Sequence, residues 1–440
     1  MTKEISEEKL AKHKKYNIII YYIYRTFAWD LLFYYAVSFI FLNSFKGLTP
    51  AEIVFADAFF PLFKVLFQIP CTLLVNRIGK KSSLIVGNIA LFIYMIFVLG
   101  CNYMYIMIIA NIFMAIGFVL KNLCETNILY DSLAGDPNKL KKFSKIDGRS
   151  TSLYFYFCAV SSIIAGFTYN INPYIPMCLC LGCTFLSIVF SYLFSEVPID
   201  STNPYEQYDQ IPNVRLRFKK YRKNMKNAFK FIFSSSRLRS LIYYNSIFCG
   251  MMLLLASYRR SLLEDIGITA TQIGLIFAFL ELISGLTSAL TLKFHKKLKN
   301  KALTYFGLYY SFSIILSGLV VILNLPFILV FVIIMISQII QFGVKGPYYT
   351  LIRQYLSSFA TSSMRIKIFA ANSIIEGIVS CIISLIGAGI LAFADTAQAS
   401  VITGSLFFII LIIILEYMRS RVGLRPEQYN EEEINFKEVE

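Results

Sequence analysis

Long apolar runs, separated by short polar segments, recur along almost the whole of this sequence. One of them extends from Ile106 to Leu120 without a charged residue, and hydrophobic residues make up 57% of the 440 positions. An α-helix needs about 20 apolar residues to cross the hydrocarbon core of a bilayer. Lipid also offers no partner to backbone polar groups, which favours helices. The pattern therefore predicts an all-α integral membrane protein.

The runs form two sets of six helices on either side of one hydrophilic stretch. The first set is expected near 17–42, 50–75, 83–100, 104–130, 149–170 and 174–195, and the second near 239–263, 269–293, 303–323, 327–352, 368–393 and 398–418. The predicted domains are a tail (1–16), a six-helix bundle (17–197), a central segment (198–238), a second six-helix bundle (239–418) and a tail (419–440). The first run is too long for a cleaved signal peptide, so we expect it to stay in the membrane.

Positive charge is distributed unevenly between the two sides of these helices. Most of the 42 lysine and arginine residues fall in both tails, the central segment and alternate loops. The positive-inside rule assigns such segments to the cytoplasm. The external side holds little more than Lys46, with Arg259 and Arg260 at a helix end. Both termini are therefore expected to be cytoplasmic, in a plasma-membrane protein, and the net charge of +16 does not require nucleic-acid binding.

Apolar residues recur at helical spacing in the central segment, with basic residues between them. The apolar positions are Val214, Phe218, Tyr221, Met225, Ala228 and Ile232. This pattern predicts an amphipathic helix on the inner membrane surface, with membrane lipids as its partner. A calmodulin-like or nucleic-acid target would show the same pattern, but the adjacent membrane favours lipid.

A weak internal repeat relates the two sets of helices. Gly47-Leu48-Thr49 recurs as Gly267-Ile268-Thr269, and Ile53 and Ile273 follow at the same spacing. The two sets are therefore predicted to form two pseudo-symmetric bundles.

The loop between helices 2 and 3 carries a recognisable motif. It reads Thr72-Leu73-Leu74-Val75-Asn76-Arg77-Ile78-Gly79-Lys80-Lys81. This resembles the signature Gly-x-Leu-x-Asp-Arg-x-Gly-Arg-Lys of bacterial major facilitator superfamily transporters, with Thr72 and Asn76 as departures. The resemblance implies the fold of that family, twelve transmembrane helices in two six-helix bundles, and transport of a solute by alternating access.

The resemblance also implies a gate at this loop. The residues that it assigns to gating are Asn76, Arg77, Gly79, Lys80, Lys81, Asp131 and Arg149. Glycine permits a tight turn, and the basic side chains can pair with a carboxylate, for which Asp131 is the implied partner. Asn76 in place of an aspartate is expected to weaken the gate. Simple positive-inside anchoring would also place lysines here.

Ionisable residues inside the predicted helices are candidates for a transport path, because each is costly in lipid unless it is paired or hydrated. They are Arg25, Asp30, Asp57, Lys64, Lys121, Glu125, Glu281, Lys345 and Glu376. Helical spacing adds Gln68 to the face of Asp57 and Lys64, and adds Gln338 and Gln341 to the face of Lys345. These polar faces predict a cavity for a small-molecule substrate.

Glu281 and Asp30 are the candidates for proton coupling. Each lies near the middle of a predicted helix, and Glu281 has no basic residue one turn away on its own helix. Such a carboxylate can alternate between charged and neutral forms. Sodium coupling, direct substrate binding and structural pairing are the alternatives. Lys121 and Glu125, one turn apart, are predicted to form a structural ion pair.

These features predict a monomeric secondary transporter that uses the proton gradient, needs no cofactor, and exports a small amphipathic compound or drug. Aromatic residues of helix 1, Trp29 among them, suit an amphipathic or cationic cargo, although packing also explains them. Helix 5 keeps only Ala165-Gly166 of the glycine signature of many drug/proton antiporters. Proton-coupled uptake of a small nutrient is therefore the alternative.

An enzyme is not expected. The two histidines, His13 and His295, lie in basic cytoplasmic segments, and the sequence holds no metal-binding cluster or nucleotide-binding loop. A non-transporting receptor or scaffold is a remote alternative, because it would not explain charged faces in both halves.

Overall fold

The computed structural model describes residues 7–136, 139–195, 197, 214–290, 298, 301–323, 325–358 and 362–419. These residues are mostly helical, and none of them forms a β-strand. The helices are α1 (Glu7–Ala28), α2 (Ser38–Ile40), α3 (Pro50–Ile78), α4 (Lys80–Leu99), α5 (Met104–Ser132), α6 (Lys139–Ile171), α7 (Tyr174–Leu193), α8 (Val214–Ser234), α9 (Ser236–Asp265), α10 (Ala270–Ala289), α11 (Ala302–Ile322), α12 (Phe327–Ser358), α13 (Ser362–Leu391) and α14 (Thr396–Arg419).

Eleven helices in the described part of the chain, α3 to α7 and α9 to α14, are long and apolar enough to cross a membrane. The first crossing differs from the expectation of one continuous helix over 17–42. Regular helix ends at Ala28 and resumes only with α2 and the π-helical turn Phe41–Phe45 that follows it. Between them, Phe33 has a φ of 65°, a left-handed conformation that is unfavourable for a bulky residue. The expectation was wrong because the length of an apolar run does not reveal contacts that interrupt it. Counted together with this interrupted segment, the eleven helices of the described residues agree with the twelve crossings expected.

The described residues gather into two compact units. Unit 1 comprises Met1–Gly47, Leu62–Val214 and Ala270–Ala278, and unit 2 comprises Leu48–Pro61, Arg215–Thr269 and Phe279–Glu440. Helices α3 and α10 are therefore each divided between the units, whereas the predicted boundaries kept each helix whole within one bundle. Tertiary packing, and not sequence position, decides this grouping.

Close packing of α6 against the first part of α10 depends on two glycines of unit 1. A Cβ atom at Gly166 would lie 2.7 Å from the carbonyl oxygen of Ala270, and one at Gly274 would lie 2.5 Å from that of Ser162. Because real Cβ atoms do not approach so closely, larger residues would separate the two backbones.

The core of unit 2 centres on an aromatic cluster around Phe248 of α9. Its ring centroid lies 4.2 Å from that of Tyr348 on α12 and 5.0 Å from that of Tyr310 on α11. Phe407 of α14 completes the cluster at 6.1 Å. α9 is thereby held among three other helices, which positions the polar side chains that it also carries.

Helix α8 occupies the segment predicted to be amphipathic. Ile232 is fully buried in the core of unit 2, whereas Lys219, Arg222 and Lys226 are exposed. The side chains of Val214, Phe218, Tyr221, Met225 and Ala228 lie outside the described residues. The lipid-facing role of this helix therefore stays a prediction.

Candidate functional site

A buried lysine lies at the interruption of the first crossing. Lys121 of α5 is 1% exposed, and its ammonium group donates hydrogen bonds to the carbonyl oxygens of Ala28 and, at 3.2 Å, Trp29. The last carbonyl groups of a helix have no N–H partner within that helix. Lys121 supplies the donor that another helical turn would otherwise have supplied, and so it caps α1.

Asp30 follows directly and bonds to the irregular segment. Its Oδ1 atom accepts hydrogen bonds from the backbone N–H of Leu31 and the hydroxyl of Tyr35, each at 2.8 Å. A short carboxylate that bonds to nearby backbone in this way competes with helix formation. Asp30 also interacts electrostatically with Lys121. The predicted coupling candidate therefore belongs to the structure that interrupts the helix.

An ion-pair network joins α1, α5 and α6. Arg25 forms a salt bridge with Glu125 and lies 3.5 Å from Oδ1 of Asp147, which also accepts a hydrogen bond of 2.7 Å from the hydroxyl of Tyr21. The predicted pair of Lys121 with Glu125 was wrong, because each group has a partner on α1 instead. Glu125 is 3% exposed, and its Oε2 atom has no hydrogen-bond partner among the described residues.

The partly buried ring of Trp29 packs against other side chains of unit 1. The guanidinium carbon of Arg25 lies 3.9 Å from its centroid, and the ring of Tyr154 stacks at 5.7 Å. Phe155 lies near the same ring at 6.1 Å. This cation–π and stacking contact explains part of the aromatic character of helix 1 by packing.

A second polar cluster, in unit 2, joins α9, α10 and α12. Nζ of Lys345 lies 3.3 Å from Oε1 of Glu281, and Nε of Arg259 donates a hydrogen bond of 3.2 Å to Oε1 of Gln341. Both cations lie against Phe342, with Arg259 at 4.5 Å and Lys345 at 5.2 Å from the ring centroid. The structure thus brings three predicted candidates together, and Glu281 is paired across helices.

Arg259 is the member of this cluster that the sequence prediction missed. It was assigned to an outer helix end together with Arg260, but α9 continues past both to Asp265. Arg259 therefore lies six residues, more than one helical turn, before the end of α9. The sequence did contain a signal for this longer helix. An apolar run precedes the two arginines, and the helix-ending acidic pair Glu264 and Asp265 follows them.

Glu376 of α13 lies among neutral amides. Its Oε2 atom accepts hydrogen bonds from Nδ2 of Asn245 at 3.1 Å and from Nδ2 of Asn372 at 3.4 Å. Oδ1 of Asn245 in turn accepts a hydrogen bond of 2.8 Å from the hydroxyl of Tyr348. This network ties Glu376 to α9 and α12, apart from the contacts that connect Glu281 and Lys345.

The remaining cavity candidates lie in different parts of the chain. Gln338 of α12 is 2% exposed, and its Oε1 atom lacks a hydrogen-bond partner in the described part of the protein. Asp57, Lys64 and Gln68 are partly buried on α3, where Asp57 belongs to unit 2 and the other two to unit 1. The polar face predicted for this helix is therefore divided between the units.

The loop between α3 and α4 contains one ion pair. Nζ of Lys80 lies 2.6 Å from Oδ2 of Asp131, which is 3% exposed at the C-terminal end of α5. Gly79, with a φ of 83°, makes the turn between the helices, in a conformation that glycine adopts most easily. The pair that the resemblance implies is thus present, and its action as a gate stays a prediction.

The other residues assigned to the gate differ in their surroundings. Lys81 lies 5.1 Å from the ring of Tyr192, and Arg77 and Arg149 are exposed. The side chain of Asn76 lies outside the described residues. Lys80 and Asp131 form a contact of the kind that a gate requires.

Comparison with known proteins decides the family. A profile of the Major Facilitator Superfamily (MFS) matches residues 18–382. The chain belongs to this superfamily. An MFS-type transporter of Bacillus subtilis (strain 168), the uncharacterized YxaM, is 22% identical over 370 residues, which cover 82% of this chain and 86% of that relative.

Solved structures share the MFS fold with this chain. The nucleoside transporter NupG matches with a TM-score of 0.70 at 10% identity, over 92% of this chain and 99% of its own. A D-xylose–proton symporter matches with a TM-score of 0.66 at 12% identity, over 95% of this chain and 99% of its own. A POT family transporter in complex with 5-aminolevulinic acid matches with a TM-score of 0.63 at 14% identity, over 94% and 96%. The protein is therefore a multi-pass membrane transporter of the MFS kind and not an enzyme.

Paired charges within the crossings also have a chemistry that is available for transport. A carboxylate paired with a basic side chain can take up a proton and release its partner, which changes the local charge by one. Both polar clusters contain such pairs, Arg25 with Glu125 and Lys345 with Glu281. The second is more accessible, since the Lys345 side chain is 39% exposed.

Proposed function

We propose that this MFS protein is a monomeric, proton-coupled secondary transporter that moves a small amphipathic solute across the plasma membrane by alternating access. Both termini are cytoplasmic in this proposal, and the proton gradient supplies the energy without a cofactor. The observation that supports it best is the ion pair of Glu281 and Lys345, 3.3 Å apart on two membrane-crossing helices.

Protonation of Glu281 would change what the unit 2 cluster can bind. Glu281 faces two charged groups in the described part of the chain, Lys345 by direct pairing and Arg259 by electrostatic interaction. A proton on the carboxylate leaves both cations without their negative neighbour. The affinity for a solute and the affinity for a proton then depend on each other, which is what coupling means in thermodynamic terms.

The direction of transport follows from the sign of this dependence. If solute and proton bind together, an inward proton gradient drives uptake, and the excess of cations near Glu281 favours this symport. Export of an amphipathic compound in exchange for protons is the second candidate. The carboxylate of Asp30 near the aromatic surroundings of Trp29 supports it, because such a site suits an amphipathic cation.

The test is transport by purified protein in liposomes with an imposed pH gradient and a pH-sensitive dye inside. Addition of compounds from a panel should move protons in the wild type. Glu281→Gln or Asp30→Asn should abolish pH-driven transport while the protein still folds, and Glu416→Gln, at an exposed position on α14, is the matched control. Full activity in both Glu281→Gln and Asp30→Asn would contradict the proposal, and the direction of the proton movement separates uptake from export.

A further inference from the structure

The unit 2 cluster holds more positive than negative charge. Arg259 and Lys345 share one carboxylate, Glu281, and that carboxylate is paired with Lys345. Among the residues that the structure describes, Arg259 has no ion-pair partner of its own. A guanidinium group cannot lose its proton, so its charge within a membrane crossing needs an anion or water.

The guanidinium of Arg259 is held in a fixed orientation. Its Nε–H group bonds to Gln341, its face lies on Phe342, and Tyr310 provides a further hydrogen bond. A guanidinium group has five N–H donors in one plane, so donors remain beyond these contacts. A planar fork of this kind matches the two oxygens of a carboxylate or the oxygens of a phosphate or sulfonate.

Gln338 adds an independent indication of a ligand. It precedes Gln341 by one helical turn on α12 and is 2% exposed. Its Oε1 atom has no hydrogen-bond partner in the described residues. Buried polar atoms are nearly always satisfied, and an amide oxygen accepts hydrogen bonds, so this atom points to a ligand group that donates one, at a distance from the anionic group.

We infer that Arg259 and Lys345, with Gln341, bind the anionic group of the transported solute, and that the solute is a small organic anion. The inference rests on the proposed transport function and adds the substrate class to it. When Glu281 is ionised, it pairs with Lys345. Protonation of Glu281 breaks this ion pair, and Lys345 can then bind the anion. A proton on Glu281 and an anion on Arg259 therefore favour each other, and together they carry no net charge.

The binding test uses probes of nearly equal size that differ in charge. Phenylmethanesulfonate and phenylacetate are the anions, phenylmethanesulfonamide is the neutral compound, and benzylamine is the cation. The anions should raise the melting temperature of the purified full-length protein, and the other two should not. The inference would be overturned if benzylamine or the sulfonamide raised the melting temperature as much as the anions do. It would also be overturned if neither anion raised the melting temperature.

Variants of Arg259 locate the anion. Arg259→Gln should weaken anion binding at least about tenfold, the scale expected when a charged hydrogen-bond partner is lost. Arg259→Lys should keep part of the affinity, since it retains the charge but not the planar fork. Arg222→Gln removes an arginine from an exposed position on α8 and should bind as the wild type does. If Arg259→Gln does not fold, the Lys variant decides, and wild-type affinity in a folded Arg259→Lys or Gln variant counts against the inference.

Transport in liposomes separates this inference from the proposed function. Phenylmethanesulfonate stays ionised and does not cross lipid readily, so its accumulation reports the protein. External acid should drive its uptake together with protons, and a membrane potential set with potassium and valinomycin should not change the rate. Anion binding that depends on Arg259, without proton movement, would refute coupling and leave the inference standing. If Glu281-dependent proton transport occurs only with benzylamine or the sulfonamide, the proposed coupling stands and the inference of an anionic solute is refuted.

Discussion

Lys121 bonds to the backbone of Trp29, with Nζ 3.2 Å from the carbonyl oxygen, and so a side chain of α5 sets the point at which α1 ends. Irregular backbone at membrane depth is tolerated only where protein or a water-filled cavity satisfies its polar groups. The ammonium group of Lys121 does this for the last carbonyls of α1. A substitution of Lys121 should therefore alter the environment of Trp29.

Lys121→Met should destabilise the protein by about 1–3 kcal/mol, because the carbonyls of Ala28 and Trp29 lose a buried donor. Trp29 is the only tryptophan, so its fluorescence emission reports this site directly and should shift in the variant. Thermal unfolding and emission spectra in detergent are the measurements. Lys219→Met, at an exposed position of α8, should leave both unchanged. A wild-type spectrum and melting temperature in Lys121→Met would argue against the capping role.

Glu125→Gln should cost about 3–5 kcal/mol, because it leaves the buried charge of Arg25 without its closest partner. The double variant Arg25→Met with Glu125→Gln should cost less than the sum of the two single changes, since the buried pair is removed as a unit and Asp147, which also loses its contact with Arg25, is 31% exposed. Unfolding of all four proteins gives the coupling energy. Additive costs would mean that the two side chains do not stabilise each other.

Gly274→Leu should separate α6 from α10 and destabilise unit 1 by about 1–3 kcal/mol, because the added Cβ would lie 2.5 Å from the carbonyl of Ser162. The matched control is Gly285→Leu on the same helix, where an added Cβ meets nothing within 4 Å. Unfolding midpoints test the stability. The 2.8 Å contact between Asn170 and Thr271 gives a second measurement, through disulfide trapping of cysteines at both positions. Equal effects of the two leucines would contradict the close-packing argument.

Asp131→Asn should alter the transport rate more than Lys80→Gln, because the Asp131 side chain is 4% exposed and that of Lys80 is 15% exposed. The expected change is about 1 kcal/mol or less, as the lysine is partly screened by solvent. Exchange of the two residues, Lys80→Asp with Asp131→Lys, should restore part of the rate. A rate that is unchanged in both single variants would remove the pair from the gating mechanism.

Much of the fold could be predicted from local patterns in the sequence. Helix-length apolar runs and the sidedness of lysine and arginine give the crossings, and the motif around Gly79 indicates the family. The turn at Gly79 needs a positive φ, which is a property of the residue itself. The contact between Lys80 and Asp131 could be predicted only because the family resemblance supplied the partner.

The contacts within the candidate site were less predictable, because they join side chains of different helices. Glu281 was selected for the lack of a nearby base on its own helix, yet Lys345 reaches it from α12. Arg259 was placed at a helix end, yet it contacts Gln341. In both cases the partner lies on another helix, where periodicity within one helix carries no information.

The sequence by itself determined which segments enter the membrane, because the transfer of apolar side chains into lipid depends on local composition and length. Only the tertiary structure decided that Lys121 interrupts the first crossing and that Arg25, and not Lys121, pairs with Glu125, 100 positions away in the chain. A buried charge is most stable beside the best available partner, and which partners are available depends on how the helices pack.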